Sequence, residues 1–457
     1  MTLSADLLQA VSAEEGGKIA IVIGAGCSFE APTSLPLSKA LSEDAHRRLV
    51  ENGVLAEGDC ADPSDLSKVA DAVYAKEGSQ EPLVAVLPLA RFENAASNDG
   101  YDLAVALLRE HAVSDVMTLN FDLGAQHALA GAGAEVGVIA GPEQMGAIGV
   151  VNLVHLHRDM HAAPDEWILR TEQIEEAWRD GWEQLIATRV MARPVVVFAG
   201  LGTAAAVLVD TLTRIRAAVA DHVAYHVDPG PYGTSAFTDA LRIPEERYVR
   251  LGWSDFMREL AQRLAVEHLA VLRQAAEALQ GQRGLPEEAL DCVLDVCAEL
   301  DLVGLGELRA RWLLRQDGYV PARAVDPALL ADLIQGAAIL ARALDVRFVG
   351  APDGCLQMRR GDRVVGVLIP ASGAGIRQWT QYEPEVRNQS WVRSQGGGDQ
   401  TVILAAGVLG NRDRIAAPPD IIDDPNLESV AQAPTEPLFI DVDELRANPS
   451  ATLEGIR

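Results

Sequence analysis

Basic residues are scarce in this sequence of 457 residues. It holds 38 Lys and Arg against 66 Asp and Glu, and 38 − 66 gives a formal net charge of −28 at pH 7. The average surface of such a protein repels phosphate backbones and anionic membranes. Direct nucleic-acid binding is therefore a minor hypothesis, which only a local basic patch would support.

Cysteine pairs and long apolar runs are missing as well. The five cysteines, none in a Cys-x-x-Cys pair, are Cys27, Cys60, Cys292, Cys297 and Cys355. They are typical of reduced thiols in a cytosolic protein and supply no zinc site. The longest apolar stretch, Val195–Val209, has about 15 residues where roughly 20 are needed to span a bilayer. We therefore expect a cytoplasmic chain without a membrane segment.

The first 265 residues contain six short apolar runs rich in β-branched residues. Each ends at Gly, Asn, His or Asp, and the runs are Ile19–Ile23, Val116–Leu119, Val150–Leu156, Val195–Ala199, Val223–Val227 and Tyr248–Leu251. Continuous apolar strands separated by helical patterns predict a parallel sheet covered on both faces. The predicted fold is therefore α/β with a Rossmann-like sheet, which binds ligands outside the carboxyl ends of its strands.

Two domains are predicted, at 1–265 and 266–457. Within the first, the pattern from Leu37 to Ala112 is helical and suggests an insertion over the ligand crevice, while the glycine-rich residues 131–149 suggest a mobile loop. A long helix at 257–280 closes this domain, followed by a linker at 281–286. The remainder begins helical and then turns to short strand-like segments, which predicts an α+β domain.

The first strand runs into the glycine-rich turn Gly24-Ala25-Gly26-Cys27-Ser28. Two glycines there let the backbone approach a pyrophosphate beside the free N–H groups of the next helix, although a tight structural turn explains them too. Phe29 replaces the third glycine of the dehydrogenase fingerprint. The acids about twenty residues on lie in a helical pattern, which disfavours a hydride-transfer enzyme.

Small or polar residues follow four further strands. They are Asn120 with Asp122, His157, Gly200 with Gly202 and Thr203, and Asp228. Asn-x-Asp after a strand is most often a helix N-cap, and a single His there is most often a satisfied structural residue. His155 is predicted to lie on the same strand face as His157 and is an alternative candidate for a catalytic histidine. One crevice at the carboxyl edge of the sheet would collect all of these groups.

Taken in this order, the segments resemble the Sir2 family. The matching motifs are Gly24–Ser28, Thr118–Asp122 with Ala130-Gly131, Leu156-His157, and Gly200–Thr203. Val227-Asp228-Pro229 and the segment Trp253–Leu260 are also similar to Sir2-like domains of prokaryotic antiphage systems. The resemblance covers about residues 15–265.

The resemblance implies a domain that binds NAD and cleaves its nicotinamide–ribose bond. Asn120 would then position the ribose and the attacking water, with Asp122 orienting Asn120 or bonding a ribose hydroxyl. His157 would act as the base, since a neutral imidazole can take a proton at physiological pH. The expected diphosphate cradle is Gly24, Ala25, Gly26 and Ser28. Gly200, Gly202 and Thr203 would lie beside the adenosine, and Asp228 at its ribose.

The chain departs from the family in two places. Sir2 deacylases carry two Cys-x-x-Cys pairs that hold zinc, and this sequence has none, so we expect no zinc, no other metal and no deacylation. Zinc-free relatives are NAD hydrolases that act during phage infection. Arg158 stands where the family has Gly after the catalytic His, and it could contact a phosphate or close the pocket.

Our prediction is an NAD+ hydrolase that releases nicotinamide and ADP-ribose as a regulated effector of antiphage defence. Residues 266–457 would form the regulatory or partner-binding domain, in a homo-oligomer or with a defence partner such as an ATPase or an Argonaute-like protein. The alternative is an inactive sensor or assembly subunit that binds NAD or ADP-ribose, with Arg158 blocking chemistry.

Overall fold

A computed structural model of the protein describes nine stretches of the chain. They are residues 3–13, 16–174, 181–203, 206–219, 221–280, 288–315, 318–372, 400–407 and 438–453. The chain divides into two compact units, Met1–Leu264 and Ala265–Arg457, which we call the N-terminal and C-terminal units. The domain boundary predicted after residue 265 lies one residue from this division.

The N-terminal unit is built on a seven-stranded parallel sheet. Its strands are β1 (Ile19–Ile23), β2 (Val113–Thr118), β3 (Gly137–Ile139), β4 (Asn152–His155), β5 (Val195–Ala199), β6 (Val223–Val227) and β7 (Tyr248–Val249). Their order across the sheet is β3-β4-β2-β1-β5-β6-β7, and every neighbouring pair is parallel. The Rossmann-like α/β prediction is confirmed.

Helices cover this sheet and fill the predicted insertion. They are α1 (Ala5–Val11), α2 (Ala25–Phe29), α3 (Ser38–Glu51), α4 (Leu66–Glu77), α5 (Glu81–Val86), α6 (Leu89–Glu93), α7 (Asp99–Arg109), α8 (Gly124–Gly131), α9 (Trp182–Met191), α10 (Ala206–Ala218), α11 (Ala236–Ala240) and α12 (Trp253–Gln280). Short 3-10 helices lie at Pro142–Ala147, Pro164–Glu166 and Glu245–Arg247. Five helices, α3 to α7, lie in the predicted insertion between Leu37 and Ala112, so the helical insertion is confirmed.

The sheet is rigid because its central strands are buried on both faces. Every residue of β1 and of β5 is buried. Each buried Val or Ile side chain stabilises the fold by roughly 1.5–3 kcal/mol. A separate core forms between the insertion and the segment after β4, and in it Leu49, Val73 and Trp167 are fully buried. The sheet and the insertion therefore each have a packed core, and the loops at the carboxyl ends of the strands lie between them.

Two details of the predicted sheet are wrong. Strand β4 ends at His155, so His157 lies in the turn beyond it and does not share a strand face with His155. The glycine-rich residues 131–149 are not a loop throughout, because they contain β3 and the 3-10 helix Pro142–Ala147. A strand of three residues is too short to produce an alternating pattern in sequence.

The C-terminal unit is α+β, as predicted. After the end of α12 it contains α13 (Glu288–Ala298), α14 (Leu302–Trp312), α15 (Pro327–Leu344), β8 (Arg347–Val349), β9 (Leu356–Arg360), β10 (Arg363–Ser372), β11 (Gln400–Ala406), β12 (Leu438–Asp441), α16 (Val442–Ala447) and α17 (Pro449–Thr452), with 3-10 helices at Ala322–Ala324 and Pro352–Gly354. The sheet order is β12-β11-β10-β9-β8. Strands β10 to β12 are parallel and β8 to β10 antiparallel.

One described helix, α15, is long and apolar enough to cross a membrane by length and composition, with a mean hydropathy of 1.4. In the structure 56% of it is buried, and it packs on β10 and β11. These contacts are those of a core helix. The predicted linker at 281–286 lies outside the described residues.

Candidate functional site

A cavity of about 760 Å³ opens at the carboxyl edge of the parallel sheet. The turns after β1, β2, β4 and β5 line it from one side and the helical insertion from the other. Eight of the predicted site residues lie in its wall: Gly24, Ala25, Gly26, Asn120, His157, Gly200, Gly202 and Thr203. Three others, Ser28, Asp122 and Asp228, do not. The volume is in the range of pockets that hold cofactor-sized molecules.

Asn120 is held from behind by a buried hydrogen-bond network. Its Nδ2 donates to Ser28 Oγ at 2.9 Å, and Ser28 Oγ donates to Asp122 Oδ2 at 2.7 Å. The Tyr101 hydroxyl lies 2.7 Å from the same Ser28 oxygen. Because the single Ser28 proton goes to Asp122, Tyr101 must be the donor. Asn120 is one of the residues that line the cavity, so this network positions an amide group at the cavity wall.

Asp122 and Ser28 therefore support Asn120 and do not line the cavity. The second oxygen of Asp122 accepts from the N–H of Gly124, the first residue of α8. This bond meets the start of α8, although the N-cap position itself is Leu123, which makes no side-chain capping bond. A role of Asp122 in a ligand site stays a prediction. Burial, together with the charge of Asp122, raises the pKa of Tyr101, so its hydroxyl keeps the proton that it donates.

His157 lies in the turn after β4 and lines the cavity. Its Nε2 is buried and has no hydrogen-bond partner among the described residues. Burial, with a smaller contribution from the charge of Arg158, lowers the pKa of His157 to about 4. The imidazole is therefore neutral at pH 7 and can accept a proton. A buried polar atom without a partner is costly, and a ligand in the cavity would satisfy it.

Arg158 contacts two residues of α9. Its guanidinium lies 3.3 Å from the buried Glu183 carboxylate and 4.9 Å from the ring centroid of Trp182. Its backbone has φ +76°, a conformation that favours glycine. A glycine would adopt this backbone conformation more easily than an arginine. Arg158 is not among the residues that line the cavity.

The glycines of the two turns are required by close packing. A Cβ on Gly26 would lie 2.7 Å from the Cα of Gly200, and one on Gly200, at φ +66°, would lie 2.5 Å from the N of Cys27. Gly26 N–H donates to Gly200 O, and Cys27 N–H to Gly24 O, both at 2.9 Å. The N–H groups of Gly26 and Cys27 are therefore already paired, and the diphosphate cradle of Gly24, Ala25, Gly26 and Ser28 stays a prediction.

Asp228 stabilises its own turn. Its Oδ1 accepts from Gly230 N–H at 2.7 Å and from the Tyr248 hydroxyl at 3.1 Å. Burial, then the nearby Asp228, raises the pKa of Tyr248 to about 12. The Asp228 carboxylate follows a strand end, as the sequence suggested, but it is not in the cavity wall.

Residues of the insertion also line the cavity, and no sequence motif singled out these individual residues. Lys39 is the basic side chain among the residues that line it, and Asp62 and Asp65 also contribute. Tyr101 acts from α7, distant in sequence from Ser28. No group of three His, Cys, Asp or Glu residues placed to hold a metal ion occurs within the described stretches.

Fold and site together define the N-terminal unit as a Rossmann-like α/β domain with a ligand cavity at its strand ends. Among solved structures, similar chains are Sir2 homologues. A mutant Sir2 homologue in complex with ADP-ribose is 16% identical, with 58% of this chain and 98% of that chain covered and a TM-score of 0.34. A Sir2 homologue–NAD complex is 14% identical, with 58% and 96% covered and a TM-score of 0.33.

No family model and no curated protein matches the sequence. At these identities and TM-scores, the likeness does not transfer residue roles. The roles of Asn120 and His157 are therefore argued from their own geometry.

Proposed function

We propose that the protein is an NAD+ glycohydrolase, in which water and NAD+ give nicotinamide and ADP-ribose. The observation that carries the proposal is that Asn120 and the neutral His157 imidazole, whose buried Nε2 has no hydrogen-bond partner among the described residues, line one cavity large enough for a dinucleotide. The resemblance of the motifs to the Sir2 family supports the same substrate.

The chemistry suits these two groups. The nicotinamide–ribose bond breaks through an oxocarbenium-like ribose, which a site must orient and shield from random water. Asn120 Oδ1 would accept a hydrogen bond from the attacking water or a ribose hydroxyl. His157 would take the proton that this hydroxyl or water releases, which its lowered pKa allows at pH 7.

Two of the backbone N–H groups expected to bind the diphosphate already have hydrogen-bond partners. Since the N–H groups of Gly26 and Cys27 are already paired, we assign the diphosphate to Lys39, the cation of the cavity wall. Gly200, Gly202 and Thr203 remain the proposed contacts for the adenosine side.

NAD consumption by the purified chain tests the proposal. Asn120→Ala and His157→Ala should each lower the rate by about 100-fold or more, the usual effect of removing a positioned proton acceptor or donor. Gln262→Ala, at an exposed position of α12, is the control and should retain the rate. NAD left intact by wild type with candidate activators, and equally by Asn120→Ala, would refute the hydrolase.

A non-enzymatic sensor of NAD or ADP-ribose is the second candidate. It depended on Arg158 blocking the pocket, and the ion pair of Arg158 with Glu183 removes that argument. Calorimetry that shows ADP-ribose binding by wild type without any turnover would favour the sensor. Turnover of an acyl-lysine peptide would instead favour deacylation.

The proposal also includes regulation of the activity and a role in antiphage defence. A strong NAD hydrolase must be held inactive in its host, and we assign this control to the C-terminal unit, to a homo-oligomer or to a defence partner in the cytoplasm. Cells that express wild type should lose NAD only on phage infection, whereas cells that express His157→Ala should not. Equal NAD levels in both infected cultures would contradict an antiphage role.

A further inference from the structure

Gln126 joins the two chain segments that carry the candidate catalytic groups. From α8 its Nε2 lies 3.1 Å from His155 Nε2 and 3.0 Å from Asp159 Oδ2. These two partners flank His157, two residues before it and two after it. His155 is fully buried, and Asp159 is 9% exposed. The turn that bears His157 is therefore bridged by one amide group.

The protons of this bridge can be assigned from its chemistry. An amide nitrogen only donates, so both Gln126 protons are used, one on His155 Nε2 and one on the Asp159 carboxylate. His155 Nε2 is then an acceptor, and the ring proton must be on Nδ1. Nδ1 lies 3.3 Å from the backbone oxygen of Asn120, to which it donates.

The bridge therefore runs from Asp159 through Gln126 and His155 to Asn120. Backbone hydrogen bonds also link the segments, from Leu156 N–H to Thr118 O and from Met160 N–H to Phe121 O. They fix the strands and turns, while the side-chain bridge fixes His155 against the Asn120 carbonyl. Rotation of the Gln126 amide would place two acceptors, its own oxygen and the His155 nitrogen, against each other.

We propose that Gln126 is a positioning residue, which sets the geometry between Asn120 and His157 through His155 and Asp159. This inference rests on the proposed hydrolase function for its kinetic consequence. Gln126 itself is not among the residues that line the cavity. It should therefore affect the chemical step more than substrate binding, because a displacement of about 1 Å in a reacting group costs up to about 100-fold in rate.

The first test needs no activity. Nitrogen-15 NMR of the intact wild-type chain, labelled at its nine histidines, reports the tautomer of each ring. The His155 signals are assigned by their loss in His155→Asn. The proposal requires a neutral ring with the proton on Nδ1 at pH 7. A proton on Nε2 would overturn it, whether or not the chain hydrolyses NAD.

The second test is kinetic and uses two substitutions. Gln126→Met keeps the length and removes both donors, and we expect kcat for NAD to fall by about 10-fold or more with KM nearly unchanged. Gln126→Glu replaces the donors with a carboxylate beside Asp159. Gln262→Glu, which makes the same charge change at an exposed position of α12, should behave as wild type.

The pH profile separates positioning from simple packing. Asp159, Asp122 and His161 are the titratable groups that act on His155. In Gln126→Glu, a proton taken up by the cluster at lower pH restores a donor, so kcat should recover partly toward pH 5.5. Gln126→Met, which has no proton to gain, should show no recovery.

Unchanged kcat in both variants, or equal pH profiles for both, would overturn the positioning role. If the variants unfold, the wild-type NMR result still decides. If wild type shows no hydrolysis under any condition, the proposed function fails, and the tautomer alone decides whether the bridge exists.

Discussion

Burial, more than any neighbouring charge, determines the protonation of His157. Removal from water disfavours the charged imidazole, and Arg158 adds a smaller repulsion, so the pKa is about 4. An unperturbed histidine titrates near pH 6.5, and at that pH half of the imidazole is protonated and cannot act as a base. In this cavity it stays neutral through the whole physiological range.

The acid limb of kcat/KM for NAD should therefore lie near pH 4. This parameter reports ionisations of the free enzyme, and the lowered pKa of His157 keeps the base unprotonated down to that pH. The measurement is the initial rate of NAD loss between pH 4 and 8. An acid limb centred at about 6.5 would show that His157 is not buried as described, or is not the base.

Stability provides a check that is independent of activity. Because the folded pKa of His157 is below the unfolded value, the unfolded state binds more protons as pH falls from about 6.5 toward 4, and the free energy of unfolding decreases. His157→Gln removes this contribution. The difference between the two unfolding free energies should be constant above pH 7 and should shift in favour of the variant below it.

Arg158 permits a clean comparison of backbone strain. Arg158→Gly and Arg158→Ala both lose the ion pair with Glu183, so they differ only in how they tolerate φ +76°. Alanine there costs about 1–2 kcal/mol, and glycine costs about 0.5–1 kcal/mol of unfolded-state entropy. The glycine variant should be more stable by about 0.5–1 kcal/mol in denaturant unfolding. Neither variant should change KM for NAD, and a large change would place Arg158 in the site.

The sequence predicted Asn120 and His157 because each follows a strand end, where a parallel sheet exposes its ligand groups. It did not predict how Ser28 and Asp122 act, because that depends on Tyr101 in a helix far along the chain. Asp228 shows the limit of the same rule. A carboxylate at a strand end can equally satisfy its own turn, and only the fold decides between these outcomes.

At the scale of elements, the turns after β1 and β5 pack directly on each other. Gly200→Ala should destabilise the protein by about 2–4 kcal/mol, from strain at φ +66° and a clash of the new Cβ with Cys27 N at 2.5 Å. Gly202→Ala is the matched control two residues away, because nothing lies within 4 Å of its Cβ position. Denaturant unfolding measures both. Equal stabilities would mean that the turns can separate at little cost.

Most of the strands could be predicted from the sequence, and two could not. The predicted limits of β1, β5 and β6 agree with the structure. Strands β1 and β5 are uninterrupted, fully buried apolar runs, and β6 is a mostly buried run that contains His226. Strands β3 and β9 were missed. The first has three residues, and the second, Leu356–Arg360, carries charged residues on its exposed face. These strands form because they pair with neighbouring strands, and a local sequence pattern does not indicate such pairing.

At the scale of the whole molecule, the net charge of −28 opposes the approach of an anionic ligand. This field acts over the Debye length, about 10 Å at 0.1 M salt, so added salt weakens it. Lys39 acts in the opposite direction, but it is one exposed cation beside Asp62 and Asp65 in the same wall. The long-range repulsion should dominate the salt dependence of binding.

ADP-ribose should accordingly bind about threefold more tightly at 150 mM than at 10 mM potassium chloride, as measured by calorimetry. Adenosine, which is neutral, is the control, and its affinity should not change. Potassium glutamate should act like the chloride, because the effect is screening and not anion competition. A fall in ADP-ribose affinity with salt would mean that local attraction by Lys39 outweighs the charge of the whole protein, and Lys39→Ala should then reverse the slope.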